Sequence, residues 1–272
     1  DDQPFFLYLA HYAVHSPFQS DKRFAGNYES ADRKKAAKAF ATLIEGMDKS
    51  LGDLMDHVEA RGIANNTVIF FLGDNGSASP LGSNGNIGSS APLRGKKGSQ
   101  WEGGIRVPFI AAWLKQDSAN RWQRRMPIKA GGFGRQIGSC FDLFPTITDL
   151  AEASLPSDHL VDGHSLAKLL RGGRDPDRLE YFLSHFPHPR ADKHFTTYRE
   201  GDWKLIYHHL RQDNVPRYAL YHLKNDPTES ADVSEQNPET VKRLTQSMAK
   251  LLIGHDALYP SVDGRAVKPI IP

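Results

Sequence analysis

The amino-acid sequence predicts an α/β fold, in which part of a mainly parallel sheet is flanked by helices and is followed by a smaller C-terminal α+β unit with an antiparallel sheet and one helix. Two patterns support this prediction. Apolar runs at residues 4–10 and 67–72 are separated by a helical period over residues 31–60, an order that favours a parallel sheet with a right-handed crossover. In the last third of the chain, short strand-like runs separated by turn residues precede a single amphipathic helix, which is typical of an antiparallel sheet with one helix.

The long first helix is predicted from apolar residues that recur at three- and four-residue steps between Phe40 and Val58. Arg61 and Gly62 close it, as a basic residue and a glycine do at helix ends. Residues 107–113 predict a further strand.

Residues 73–106, which precede that strand, are rich in Gly, Ser and Asn and have no clear period. A connection of this length without regular structure is uncommon in a compact domain unless it is functional or disordered. It carries four basic residues around Trp101, so we expect an ordered segment that contacts an anion.

The remaining elements follow the same reasoning. Short helices are expected at residues 141–151, with Pro145 in the first turns, and at residues 165–170. The C-terminal elements are strands near residues 181–183, 195–199, 203–208 and 218–223, and a helix at 238–252 with Val241, Leu244, Met248 and Leu252 on one side. We expect two domains, residues 1–175 and residues 176–272.

Composition limits the classes of partner. The 272 residues are 39% hydrophobic and 24% charged, as in globular proteins, and the net charge is only +2. So small a net charge does not favour a nucleic acid or an anionic membrane as partner. Any anion must therefore bind at a local cluster of basic residues. No apolar run approaches the ~20 residues of a membrane helix. The one cysteine, Cys140, excludes an internal disulfide.

Asp74 and Asn75 follow the strand at 67–72 directly and are the most informative pair in the chain. In an open α/β sheet, the carboxyl ends of the strands form the ligand-binding edge. Carboxylate and amide oxygens are the ligands that Ca²⁺ and Mg²⁺ take, so the pair predicts part of a metal site. The alternative is a plain turn, because Asp-Asn-Gly is also common turn chemistry.

Two further segments favour the metal site. Residues 11–17 include His11 and His15 at the end of the first predicted strand, and residues 92–108 place Lys97 between glycines. Oxygen ligands for a hard cation, a histidine that titrates near neutral pH and a lysine together suit hydrolysis of an ester of a tetrahedral oxyanion.

These segments carry a family resemblance. The chain resembles the type I, formylglycine-dependent sulfatases of the alkaline phosphatase superfamily, and the likeness is in order along nearly the whole chain. Its most specific part is Leu-Arg-Gly-Lys-Lys-Gly followed by Trp-Glu-Gly-Gly. The matching segments are residues 5–17, 66–76, 92–108, 142–150, 201–206 and 220–227.

The resemblance implies a role for each matching residue. Asp74 and Asn75 match the second pair of Ca²⁺ ligands, which favours Ca²⁺ over Mg²⁺. Lys97 matches the lysine that contacts a sulfate oxygen, and His15 matches the histidine that contacts the sulfate and protonates the leaving alcohol. Lys96 stands where many members have a glycine, which leaves open whether Lys96 or Lys97 contacts sulfate; the spacing to the next glycine favours Lys97.

One expected motif is absent. The family's nucleophile is a formylglycine made from the Cys or Ser of a Cys-x-Pro-x-Arg segment, and Cys140 is followed by Phe-Asp-Leu-Phe. Ser90 fits Ser-x-Pro-x-Arg but lies after Asp74, whereas the family's nucleophile lies before it. We therefore expect the formylglycine and the other metal ligands upstream of residue 1, and predict that these 272 residues alone turn over no aryl sulfate.

Three residues have open alternatives for contact with the substrate. His188 lies in a His-Phe-Pro-His segment that is similar to segments in the carbohydrate-acting branch of the family, and it is a candidate for contact with sugar hydroxyls; the alternative is a histidine-rich surface turn. Arg94 is a candidate for binding sulfate; the alternative is that it pins its own loop. Trp101 is expected to pack the loop, with sugar stacking as the alternative.

The expected function is hydrolysis of a sulfate ester on a carbohydrate or an aryl group. The alternatives are a non-catalytic module that binds sulfated glycans and a phosphodiesterase of the same superfamily. The resemblance further implies a periplasmic, extracellular or lysosomal location. The sequence leaves the sugar, the sulfated position and the oligomeric state open.

Overall fold

The computed structural model describes residues 3–78, 90–190, 193–210 and 214–272. Its first long element is helix α1 (Lys35–Ala60), which forms where the apolar period predicts it. Phe40 and Val58 are buried on α1, whereas Ile44 and Met55, which share the predicted apolar period, are exposed. Arg61 ends the helix by donating its backbone N–H to Glu59 and His57 carbonyls, and Gly62 follows with φ of +72°.

Strand β1 (Val68–Leu72) pairs antiparallel with strand β2 (Phe109–Trp113). The prediction of a parallel sheet is not confirmed: all strand pairs within the described residues are antiparallel, and residues 4–10 form no strand. The composition of that run suits a strand, but a strand forms only where its N–H and C=O groups meet those of a neighbour. The mixed α/β class is confirmed, and the sheet that contains β1 is smaller than predicted.

Helix α2 (Glu102–Ile105) lies in the segment before β2, and helix α3 (Arg121–Arg125) follows β2. Helix α3 begins at Asn120, whose side-chain oxygen accepts from the N–H groups of Trp122 and Gln123. Neither short helix was predicted from the sequence.

Helices α4 (Leu143–Leu150) and α5 (Ala167–Leu170) are confirmed. A buried ion pair between Asp142 and Arg178 lies beneath α4, and the Asp142 carboxylate also accepts from the N–H groups of Ser139 and His164. Three short 3-10 helices complete the helical elements of the described chain, at Ala25–Tyr28, Ala64–Asn66 and Cys140–Asp142.

The C-terminal sheet has four antiparallel strands, β3 to β6, in sequence order. Helix α6 covers one face with the apolar residues that the sequence predicts, and together with Leu205, Tyr207 and Leu220 they form the main core. The strands and the helix are β3 (Tyr181–Arg190), β4 (Lys193–Glu200), β5 (Trp203–His208), β6 (Tyr218–His222) and α6 (Pro238–Gly254).

The chain after α6 contains a hairpin of β7 (Ser261–Val262) and β8 (Arg265–Ala266). Side chains of the sheet bond to its backbone: His185 to the carbonyl of Leu258 and His209 to that of Val267. No helix in the described ranges is long and apolar enough to cross a membrane.

Candidate functional site

The turn that follows β1, residues 73–76, carries the predicted metal ligands and is called the Asp-Asn turn below. Asp74 is exposed, and Asn75 is half-buried with its Nδ2 donating to the carbonyl of Gly76 at 3.1 Å. That bond fixes the amide and leaves its oxygen as the donor atom for a cation. The Gly73 N–H donates to Pro108 O at 3.1 Å, so the turn is attached to the start of β2.

The Asp-Asn turn packs against the glycines of α2 without room for a side chain. A Cβ on Gly76 would lie 2.0 Å from the Gly103 carbonyl oxygen. The Gly76 N–H donates to the carbonyl of Gly104 at 3.1 Å, and a Cβ on Gly104 would lie 2.5 Å from Ser99 O and 2.6 Å from Lys96 O. The turn and the segment that contains Lys97 are therefore in backbone contact.

Residues 90–106 are called the lysine loop below. They belong to the segment 73–106 that was expected to be ordered, of which residues 79–89 lie outside the described residues. In the lysine loop, Lys97 donates its backbone N–H to Ser77 O at 3.0 Å and is half-buried, whereas Lys96 is exposed. Gly95 and Gly98 have φ of +84° and +78°, which a side chain would strain. The position of Lys97 beside the Asp-Asn turn favours Lys97 over Lys96 as the residue that meets an anion near Asp74.

The donor chemistry of Asp74 and Asn75 fits a hard cation. Both supply oxygen, and an exposed carboxylate beside a fixed amide can bind Ca²⁺ without burying an unpaired charge. Two residues are fewer than the 6 to 8 oxygen ligands that Ca²⁺ takes. Within the described ranges no group of three or more His, Cys, Asp or Glu residues is arranged to bind a metal.

His15 lies in a turn whose contacts fix its tautomer. Its Nδ1 lies 2.7 Å from the carbonyl oxygen of Ser16, so Nδ1 carries the hydrogen and Nε2 is left free to exchange a proton. Tyr12 donates to the same carbonyl at 2.8 Å, and its ring lies 5.6 Å from the His15 ring. The contacts of the His15 side chain within the described ranges are with this turn and do not reach the lysine loop.

The guanidinium of Arg94 lies 3.5 Å from the centroid of the Trp101 ring and donates to the carbonyl of Glu229 at 2.6 Å. Trp101 also packs edge-on against Tyr221, at 5.5 Å between centroids. These contacts match the expectation that Trp101 packs the loop and the alternative in which Arg94 pins it. A role of Arg94 in sulfate binding stays a prediction.

His188 is exposed on β3, with its ring 6.3 Å from that of Phe186. The register of β3 against β4 shifts between Phe186 and Arg190, so this end of the strand departs from regular pairing. Contact between His188 and a sugar stays a prediction.

Two other residues that the sequence brought to attention have simple structural roles. Ser90 donates its hydroxyl to the carbonyl of Gly103 at 2.8 Å, which attaches the start of the lysine loop to α2. Cys140 is exposed and unpaired in a short 3-10 helix.

A buried charge cluster beside the lysine loop was missed from the sequence. Lys204 on β5 lies with its Nζ 2.9 Å from Glu102 Oε1 and 2.7 Å from Glu229 Oε1, and all three side chains are almost fully buried. The one available signal was Lys204 itself, a lysine within the apolar run of a strand. Nothing local marks Glu229, because its partners are distant in the sequence.

Fold and site together define an α/β protein in which paired oxygen donors at a strand end adjoin a half-buried lysine on a glycine-packed loop. The family model described as Sulfatase matches residues 1–153, and the model described as N-sulphoglucosamine sulphohydrolase, C-terminal, matches residues 97–255. The chain belongs to the sulfatase family, the type I sulfatases of the alkaline phosphatase superfamily.

Similar proteins carry the same family name. Steryl-sulfatase of Mus musculus is 34% identical over 188 residues, which are 68% of this chain and 27% of that protein. N-acetylgalactosamine-6-sulfatase of Homo sapiens is 27% identical over 277 residues, covering 95% of this chain and 49% of that protein. The chain thus spans at most about half the length of these relatives.

Solved structures of similar fold include that of Ps i-CgsB, with a TM-score of 0.74, 28% identity and coverage of 96% of this chain and 52% of that one. A second structure of Ps i-CgsB, in complex with k-i-k-neocarrahexaose, has a TM-score of 0.72 and covers 92% of this chain and 50% of that one.

Proposed function

We propose that the full-length product of the gene encoding this chain is a sulfatase, a hydrolase of sulfuric esters. The observation that carries the proposal is the backbone contact between the Asp-Asn turn and the lysine loop, because it brings oxygen donors for a cation next to Lys97. Family membership supports the same activity. The chain covers only part of its relatives, so the activity is proposed for the full-length product.

The chemistry assigned to the residues follows from their groups. Asp74 and Asn75 would hold Ca²⁺, and the bound ion would offset negative charge on the sulfate oxygens. Lys97 donates to a sulfate oxygen, and this contact strengthens as charge develops in the transition state. His15 donates Nδ1–H to the carbonyl of Ser16 and presents Nε2 to the leaving group; in its imidazolium form it transfers the Nε2 proton to the departing alcohol oxygen. The nucleophile, a formylglycine, is expected from a part of the protein before residue 1.

The substrate class we propose is sulfated carbohydrate. The names and ligands of similar proteins support it, since one relative is an N-acetylgalactosamine-6-sulfatase and one similar structure binds a neocarrahexaose. His188 contacts a sugar hydroxyl in this proposal, and Arg94 contributes positive charge near the sulfate. We also propose a periplasmic, extracellular or lysosomal location, as the family resemblance implies.

We further infer that residues 1–175 are part of the catalytic α/β domain and residues 176–272 its C-terminal subdomain. The four-stranded C-terminal sheet with its own core supports this division. In the full-length protein, residues 4–10 are proposed to be a strand of a mainly parallel sheet.

The test is Lys97→Ala in the full-length gene product, with Lys96→Ala as the matched control. Loss of a preorganised donor to the charged transition state lowers kcat for a chromogenic aryl sulfate about 100- to 1000-fold. The control, whose side chain is exposed, should change kcat less than threefold. Equal losses of kcat in the two variants would contradict the assignment of the sulfate contact to Lys97.

The alternatives give different results in the same assay. A non-catalytic glycan-binding module binds sulfated oligosaccharide but releases no sulfate, and a phosphodiesterase turns over an aryl phosphate diester in preference to the sulfate. Chelation of Ca²⁺ should abolish sulfate release, and added Ca²⁺ should restore it.

A further inference from the structure

The buried cluster of Lys204, Glu102 and Glu229 joins the C-terminal sheet to the lysine loop. Lys204 exposes 1% of its side chain, and its ammonium lies between two carboxylates that expose 5% and none. Arg199 adds a second cation, 3.7 Å from Glu102 Oε2. Removing charges from water offsets much of the gain from pairing them, so a buried cluster of this kind is a weak means of stabilising a fold.

Glu229 bonds to the lysine loop in two ways. Its Oε2 accepts from the backbone N–H of Glu102 at 2.6 Å, and its carbonyl oxygen accepts from Arg94 at 2.6 Å. Glu229 itself has φ of +54°, a conformation that non-glycine residues rarely adopt. Burial raises the pKa of Glu229, which the nearby Lys204 ammonium opposes.

The turn that contains Glu229 is fixed from within by Asp226. The Asp226 carboxylate accepts from the hydroxyls of Thr228 and Ser230 and from the N–H of Ala231. Burial acts to raise the pKa of Asp226, but hydrogen bonds from Ala231, Ser230 and Thr228 outweigh it and lower the pKa to about 2. The carboxylate of Glu229 is thus presented to the loop from a rigid turn.

The lysine loop connects the buried cluster to the Asp-Asn turn, because its glycines pack against neighbouring backbone with no room for a side chain. Glu102 is followed by Gly103 and Gly104, which touch the Asp-Asn turn through Gly76, while Lys97 donates its N–H to Ser77. A displacement of Glu102 would therefore move the backbone on which Lys97 stands relative to Asp74.

We propose that Lys204 is a positioning residue: by binding Glu102 and Glu229 together, it fixes the lysine loop so that Lys97 stands beside the Asp-Asn turn. The proposal rests on the proposed function for its catalytic consequence, but the placement of the loop can be measured without activity. It assigns a role in the reaction to a residue that lies in the C-terminal sheet and meets no substrate.

The kinetic test uses Lys204→Met in the full-length gene product, alone and combined with Lys97→Ala. Misplacement of a catalytic group by about 1 Å can cost 100-fold, so Lys204→Met should lower kcat/KM for an aryl sulfate by about 10- to 100-fold. In the Lys97→Ala background it should change kcat/KM less than about threefold, because the group it positions is gone. Lys168→Met, which breaks a surface ion pair with Asp175 and Asp177, is the matched control and should leave kcat/KM unchanged.

The second measurement is amide hydrogen exchange, which needs no activity. In Lys204→Met the amides of residues 96–104 should exchange at least tenfold faster than in the parent, with those of β3 and α6 unchanged. Absence of sulfatase activity in the parent together with this local acceleration would refute the proposed function and support the positioning of the loop.

Two outcomes would overturn the proposal. One is that Lys204→Met lowers kcat/KM as much in the Lys97→Ala background as in the parent. The other is that amide exchange at residues 96–104 is unchanged. If Lys204→Met does not fold, Glu229→Gln takes its place, since its amide oxygen can still accept from the Glu102 N–H. It should show the same pattern with a smaller loss, about tenfold, and the same two outcomes would count against the proposal.

Discussion

In the C-terminal sheet and the helix α6 that covers it, Leu205, Leu220 and Leu244 have no exposed surface. In an equally apolar run near the other end of the chain, Phe6 and Tyr8 expose 71% and 79% of theirs. The difference lies in what covers them. Helix α6 packs its apolar side on the C-terminal sheet, while no described element packs on residues 5–9. Apolar sequence therefore predicts burial only where the chain also supplies a covering layer.

The β1–β2 pair is intermediate between these regions. Trp113 is buried, with its Nε1 donating to the carbonyl of Met126, whereas Ile110 on the same strand exposes 61% of its surface. A two-stranded ribbon alone is marginally stable, so this pair depends on contacts with neighbouring segments such as the bond from Trp113 to Met126.

The largest expected effect tests the comparison directly. Leu244→Ala removes a side chain with no exposed surface and should lower the free energy of unfolding by about 3 to 4 kcal/mol. The matched substitution in the same 272-residue chain, Leu7→Ala, removes the same atoms from a side chain that is 55% exposed and should cost less than about 0.5 kcal/mol. Urea unfolding monitored by circular dichroism measures both, and similar losses would refute the contrast between the two regions.

The next effect concerns the intermediate region, where the Asp-Asn turn after β1 meets the lysine loop. Gly76→Ala places a Cβ against the Gly103 carbonyl and should lower the free energy of unfolding by about 2 to 3 kcal/mol. Gly52→Ala, in α1 with open space around it, should raise it by about 0.5 to 1 kcal/mol. Thermal unfolding should show a lower melting temperature for Gly76→Ala and a higher one for Gly52→Ala. An unchanged melting temperature for Gly76→Ala would mean that the Asp-Asn turn and the lysine loop are not closely packed.

The smallest effect is a pH dependence within the C-terminal sheet. Burial lowers the pKa of His209 from 6.5 to about 4, outweighing the opposing hydrogen bond to Val267. The unfolded chain then binds the proton first, so stability is fully present above pH 6.5 and falls as the pH falls toward 4. Between pH 7 and 4.5 the loss should be about 2 kcal/mol.

Urea unfolding at the two pH values, compared with His209→Gln, isolates this contribution. The variant has no imidazole at this position and should lose about 2 kcal/mol less than the parent over the same interval. An identical pH dependence of parent and variant would show that His209 is not buried in its neutral form.

The sequence predicted the elements whose pattern is local. The apolar period found α1 and α6, and the runs of β-branched and aromatic residues found β1 and the strands of the C-terminal sheet. The parallel pairing of residues 4–10 was not confirmed, because pairing depends on which strand lies alongside. Helix α2 was missed because Glu102–Ile105 is a single turn with two glycines, and glycine weakens a helix.

The same distinction applies to the site. Asp74, Asn75 and Lys97 were found from motifs, and the structure brings their two segments into contact. The partners of Lys204 were not predictable, since its bonds to Glu102 and Glu229 depend on how the loop meets the C-terminal sheet. Buried charges paired across long sequence separations leave no period and no local motif.

The long separation between Glu102 and Glu229 also affects the order in which the protein is built. Their hydrogen bond joins residues 127 positions apart. A ribosome that adds about 5 to 20 residues per second makes Glu229 roughly 6 to 25 s after Glu102. During synthesis, the lysine loop leaves the ribosome well before the turn that fixes it, so the site reaches its final geometry only after the C-terminal sheet has emerged.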